Sequence, residues 1–158
     1  MEGLEILEEK RILAVDDEPD ILESLEEVLY MCTVDSASDY ETAFEFLTGD
    51  QKYDGAVLDI MGVNGYDLLR ITTNKGIPTL MLTAHALNSD NFAKSIKGGA
   101  NAYIPKDRLD NVDIFLAEII RCGSGKKGIF GEWFAILKPF YDKKFGDGWL
   151  KKYQQYWE

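Results

Sequence analysis

The chain has 158 residues, 46% hydrophobic and 12% aromatic, which is enough to bury one ordinary core and too few for a second large domain. With 28 acidic against 17 basic residues and a formal net charge of -11, it lacks the clustered Lys and Arg that a nucleic-acid backbone requires. Glu2, Glu5, Glu8 and Glu9 open the chain without an apolar leader, and no stretch approaches eighteen uninterrupted apolar residues; a cytoplasmic, soluble protein with no membrane role is expected.

From Arg11 onward, short apolar runs alternate with longer stretches of helical period, the pattern of strands and crossover helices in a parallel sheet. The first run, Ile12-Leu13-Ala14-Val15, ends at Asp16-Asp17. Pro19 then suits the first turn of a helix whose apolar stripe is Ile21, Leu22, Leu25, Val28 and Leu29, with Asp17 or Glu18 as cap. A strand over 32–37 and a helix over 40–47 follow. The third strand, 56–58, runs into Asp59 and precedes a helix over 66–73. The fourth, 79–82, ends at Thr83, before a helix over 91–97. The fifth, 102–104, leads to Lys106 and a last crossover helix over 109–122. Cys32 and Cys122 lie in no metal-ligand spacing and read as reduced core or edge residues.

Composition changes after Arg121. Residues 1–10 form an N-terminal extension, 11–122 the (βα)₅ body, 123–128 (Gly-Ser-Gly-Lys-Lys-Gly) a linker and 129–158 an aromatic helical tail. The tail holds all three tryptophans. Seven basic and four acidic residues fall in 123–158, against ten and 24 in 1–122. Phe130, Trp133, Phe134, Leu137 and Tyr141 share one helical stripe, and Trp149, Leu150, Tyr153 and Trp157 repeat it after Gly146-Asp147-Gly148. Helices this short are marginal alone, so the stripe must pack on its own body, on a second copy as a homodimer, or on a partner protein, and the first two are expected over a dedicated partner-docking element.

Strands buried on both faces place their charged ends at the carboxyl edge of a sheet, where open α/β sheets build their sites. Converging there, Asp16, Asp17 and Asp59 need a cation, and Mg²⁺ suits them because it takes a few carboxylates, keeps waters and accepts phosphoryl oxygens. Asp59 could then act as a nucleophile toward phosphorus, with Lys106 neutralising transferred oxygens and Thr83 offering a hydroxyl to one of them.

This set, Asp16-Asp17, Asp59, Thr83-Ala84, Gly99-Ala100-Asn101-Ala102-Tyr103 and Lys106, resembles the receiver domain of two-component response regulators over residues 11–122. The resemblance implies a flavodoxin-like, doubly wound parallel sheet in order 2-1-3-4-5, carrying here a C-terminal helical extension. It implies Mg²⁺ on Asp17, Asp59 and the backbone carbonyl of Met61, with Asp16 acting through water. A phosphohistidine on a sensor histidine kinase or phosphotransfer protein would be the donor, and a downstream protein the target. Thr83 and Tyr103 would be the switch residues, and Met61 and His85 would flank the phosphoryl group. The chain departs from the family in two places. Ile60-Met61-Gly62-Val63-Asn64-Gly65 lacks the usual Met-Pro and brings its glycine about two positions early, and Pro105 precedes Lys106 where a proline commonly follows it. A stand-alone, non-enzymatic, phosphorylation-controlled binding module is expected. The shortened loop leaves a second reading open, a pseudo-receiver scaffold that works without phosphate.

Overall fold

Five five- or four-residue strands pair in parallel in the order β2-β1-β3-β4-β5, as the resemblance implied. In the computed structural model, which describes residues 4–83, 89–122, 132–146 and 148–152, they are β1 (Arg11–Val15), β2 (Thr33–Ala37), β3 (Gly55–Asp59), β4 (Thr79–Thr83) and β5 (Ala102–Pro105). The helices are α1 (Pro19–Val28), α2 (Tyr40–Thr48), α3 (Gly65–Asn74), α4 (Ser89–Lys97), α5 (Val112–Cys122), α6 (Glu132–Phe145) and α7 (Trp149–Lys152). Every residue of β3, β4 and β5 is buried, which is why these strands read as continuous apolar runs rather than alternating ones. Right-handed crossovers in this order put α2, α3 and α4 on one face of the sheet and α1 on the other, where α5 joins it.

The register brings the strand ends level. Val15 lies opposite Leu58, Asp59 opposite Leu82, and Thr83 opposite Pro105, so Asp16, Asp59, Thr83 and Lys106 fall along one edge. Asp59 and Thr83 are themselves the last residues of their strands, one position further than the apolar runs alone indicate.

Two local expectations need correction. The second strand begins at Thr33, because the Cys32 amide donates to the Leu29 carbonyl and so closes the turn after α1. The last crossover helix begins at Val112 rather than 109; a 3-10 segment, Lys106–Asn111, with a non-helical backbone at Arg108, occupies the start of the expected helix. Residues 4–7, within the N-terminal extension, form a 3-10 turn packed on α5, with Leu7 fully buried and its carbonyl accepting from the Cys32 thiol. Burial there pushes the Cys32 thiol up to about 11, so it stays protonated and unreactive.

The aromatic stripe of the tail packs on its own body. Phe134, Leu137, Tyr141 and Trp149 are buried, and α6 lies along α5. Asp142 joins the two tail helices by accepting from Lys138 on its own helix and from the Trp149 indole, both at 2.8 Å, bonds that hold its carboxyl below the ordinary range. Ala84, His85, the 123–128 linker, Phe130, Tyr153, Trp157 and the Trp133 side chain lie outside the described residues. Among the described residues no helix is long and apolar enough to cross a membrane.

Candidate phosphoacceptor site

Glu18 sets the geometry of the first turn. It occupies the cap position of α1 with an extended backbone (φ -96°) but makes no side-chain cap bond; its amide instead donates to Asp16 Oδ1 at 2.8 Å. Pro19 needs no acceptor at the next position. The turn therefore leaves the Asp17 and Glu18 carboxylates exposed beside buried Asp16, and ligand oxygens from the three lie within 4.8 Å of one another.

Lys106 crosses the sheet edge to meet them. Its Nζ stands 2.9 Å from Asp16 Oδ2, 3.2 Å from Glu18 Oε1 and 3.3 Å from Asp59 Oδ1, with only 10% of its side chain exposed. Burial alone would favour the neutral amine. The bond and charge of Asp16, with the charges of Asp59 and the bond to Glu18, outweigh it and hold the ammonium well above its ordinary value. Burial and the neighbouring Asp16 charge push the Asp59 carboxyl up to about 6; Lys106 opposes that rise and Asp17 adds to it. Burial likewise raises Asp16, against the bonds from Lys106 and the Glu18 amide. One ammonium thus faces more carboxylate than it can neutralise, an arrangement that suits a hard divalent cation with oxygen ligands.

The loop after Asp59 is short and closes tightly. The Gly65 amide returns to the Ile60 carbonyl, and Asn64 sits in the left-handed region (φ 53°). A Cβ on Gly65 would stand 2.1 Å from the Asp59 carbonyl oxygen, so only glycine fits where α3 begins against the end of β3. Gly62 (φ +84°) lies directly against the Asp17 carboxylate, where a Cβ would come 2.4 Å from Oδ2. The Met61 side chain points outward and is 69% exposed, so its backbone carbonyl is the group this residue can offer a cation.

Asp16, Asp17, Asp59, Thr83 and Lys106 are therefore brought to one edge, with the Gly62 backbone against Asp17. Thr83 is buried one position beyond the Asp59–Leu82 pair, and the Ile60 amide donates to the Leu82 carbonyl alongside it. Tyr103 is not part of this cluster: it is fully buried on β5, with its ring against Phe92 and Tyr141. Two contributors were missed in the sequence. Glu18 read only as a cap candidate, and the Gly62–Asp17 contact joins residues 45 positions apart with no periodic signal to mark it.

The response regulator receiver domain model matches residues 12–115. The chain belongs to that family. This receiver is 35% identical over 101 residues to the two-component response regulator ARR18 of Arabidopsis thaliana, which covers 61% of this chain and 16% of that protein. It is 34% identical over 110 residues to SphR of Synechococcus elongatus, an alkaline phosphatase synthesis transcriptional regulatory protein, covering 61% of this chain and 42% of that one. It thus spans less than half the length of these relatives. The N-terminal domain of a response regulator/sensory box/GGDEF 3-domain protein from Carboxydothermus hydrogenoformans has a TM-score of 0.60 at 27% identity, covering 72% of this chain and 95% of that one. A response regulator from Thermotoga maritima shares the fold with a TM-score of 0.64 at 24% identity, covering 72% and 98%. The receiver is a module of two-component signalling, and α6 and α7 lie beyond the stretch that matches the family.

Proposed function

We propose that this receiver takes a phosphoryl group on Asp59 from a phosphohistidine and signals by protein contact. The observation that carries the reading is the position of Lys106, its Nζ 3.3 Å from an Asp59 carboxylate oxygen that is itself almost wholly buried. In the transfer, an Asp59 oxygen attacks phosphorus, the phosphorus–nitrogen bond to the donor imidazole breaks, and the imidazole leaves with the electron pair. Lys106 and the Thr83 hydroxyl would meet the transferred oxygens, Lys106 by charge and Thr83 by a hydrogen bond.

Ligand oxygens of Asp16, Asp17 and Glu18 lie within 4.8 Å of one another, and in this reading Asp16, Asp17, Asp59 and the Met61 carbonyl would hold Mg²⁺, a hard cation that takes oxygen donors. When bound, the ion supplies charge to offset the carboxylates and the phosphoryl oxygens. The partners in this reading are a sensor histidine kinase or phosphotransfer protein upstream and a protein target downstream, in the cytoplasm, and the receiver is a signalling module rather than a turnover enzyme.

Intact mass after incubation with Mg²⁺ and phosphoramidate tests the proposal. One phosphoryl adduct in wild type, absent from Asp59→Asn, is the expected result. A folded protein that takes no adduct, beside an active control receiver, would leave the pseudo-receiver scaffold as the reading.

A further inference from the structure

Phe92 of α4 is the centre of an aromatic cluster that the tail completes. Its ring lies 5.3 Å from Tyr141 and 6.4 Å from Phe145 on α6, 6.1 Å from Phe134 on the same helix, and 5.0 Å from Trp149 on α7. Beneath them, the Tyr103 ring on β5 stands 5.4 Å from Phe92 and 6.2 Å from Tyr141. Tyr141 is fully buried and its hydroxyl donates to the main-chain carbonyl of Tyr103. The tail is thus seated on α4 and β5 by a packed apolar cluster with one polar anchor, and the anchor is on the strand that leads into Lys106.

We propose that α6 and α7 are an intramolecular ligand for the aromatic face of α4 and β5, seated at rest and loosened when Asp59 carries a phosphoryl group. The inference rests on the acceptor reading above and goes beyond it by naming what occupies the face and what phosphorylation does to that occupant.

The coupling follows from three placements. Tyr103 is three residues from Lys106, which directly follows β5, and two from Pro105, which pairs with Thr83 at the end of β4, so one group that would meet a phosphoryl oxygen is continuous with the strand that holds Tyr141 and the other is paired with it. The Tyr103 ring is part of the floor on which Tyr141 and Phe92 pack, so moving it opens a void under the tail. A shift of the Tyr103 carbonyl would leave the buried Tyr141 hydroxyl without its acceptor. Movement toward the phosphoryl group and a seated tail therefore oppose each other. By linkage, whatever factor phosphorylation takes from tail docking, tail docking takes from phosphorylation.

The opposite side of α6 carries Ile136, 48% exposed, with Lys143 and Lys144 also exposed, so the helix presents one apolar stripe to the body and a mixed surface outward. A downstream protein reaching α4 and β5 would have to displace it. The ligand class this face takes is accordingly an amphipathic helix with aromatic residues at helical spacing.

Hydrogen exchange on the full chain tests the proposal, with the phosphorylated fraction read by intact mass in the same samples. With Mg²⁺ and phosphoramidate, α6 amides should exchange about fivefold faster or more, and Asp59→Asn should abolish the change. Tyr141→Phe keeps the ring and removes the anchor; it should speed α6 exchange without a phosphoryl donor and speed adduct formation. An adduct on Asp59 with unchanged or slower α6 exchange overturns the coupling and leaves the acceptor reading intact. No adduct at all overturns the acceptor reading, and the coupling with it. Tyr141→Phe with faster α6 exchange but unchanged labelling also overturns the coupling.

Discussion

Lys106 and Asp16 form, among the described residues, the shortest ion pair at the carboxyl edge of the sheet, 2.9 Å from Nζ to Oδ2, and neither is within 80 residues of the other in sequence. Asp16 is fully buried, so the pair works where water screens little, and the same ammonium also serves Asp59 and Glu18.

Replacing that ammonium separates two roles. Lys106→Met should lose on the order of 3 kcal/mol of stability at pH 8 without metal, because it leaves Asp16 and Asp59 charged and uncompensated. The same variant should bind Mg²⁺ several-fold more tightly, since a competing cation is gone, yet form the Asp59 adduct more slowly. Urea unfolding, Mg²⁺ titration and labelling kinetics read the three effects; weaker Mg²⁺ binding in the variant would contradict the geometry.

Asp59 gives the site a pH dependence. Its carboxyl sits at about 6 in the fold against an ordinary 3.8, so between those values the folded state holds more protons than the unfolded one. This contribution to stability is complete below pH 4 and is lost as pH rises through 6, on the order of 2 kcal/mol in metal-free protein. Asp59→Asn should flatten the decline. Because the cation and the proton compete for the same carboxylate, Mg²⁺ should bind about tenfold more weakly at pH 5 than at pH 7.

The two loop glycines should respond differently to alanine. At Gly65 the new Cβ meets backbone, 2.1 Å from the Asp59 carbonyl oxygen, and the loss should be about 3 kcal/mol or more. At Gly62 it meets the end of a movable side chain, Asp17, at a positive φ. Gly62→Ala should therefore cost about 1–2 kcal/mol of stability but weaken Mg²⁺ binding several-fold by displacing that carboxylate. Paired unfolding and Mg²⁺ titrations distinguish the two.

The tail contributes to the core. Phe92→Ala removes the ring on which four tail aromatics pack and should cost about 3–5 kcal/mol. Ile136→Ala, on the outward side of α6, should stay within about 0.5 kcal/mol of wild type. Equal effects in urea unfolding would mean that the tail does not pack on α4 in solution.

What could be read from the residues alone was whatever neighbours along the chain impose. Parallel strands buried on both faces are mostly apolar, so β1, β3, β4 and β5 stand out as short runs, and the charged or hydroxylated residues at their ends, Asp16, Asp59, Thr83 and Lys106, mark the carboxyl edge before any coordinates are known. The stripe on α6 was legible for the same reason, as a helical period in Phe134, Leu137 and Tyr141. The sheet order came only from the likeness of those residues to a family. Tertiary structure alone decided the rest. Periodicity says that a face must be covered but not by what, so only the fold reveals that Leu7 seats on α5 and that the tail seats on Phe92 and Tyr103. Nor does it reveal that Glu18, a residue with the form of a helix cap, reaches instead for a lysine 88 positions away. Those contacts depend on which surfaces meet when the chain closes, and that is a property of the whole packed body rather than of any stretch of its sequence.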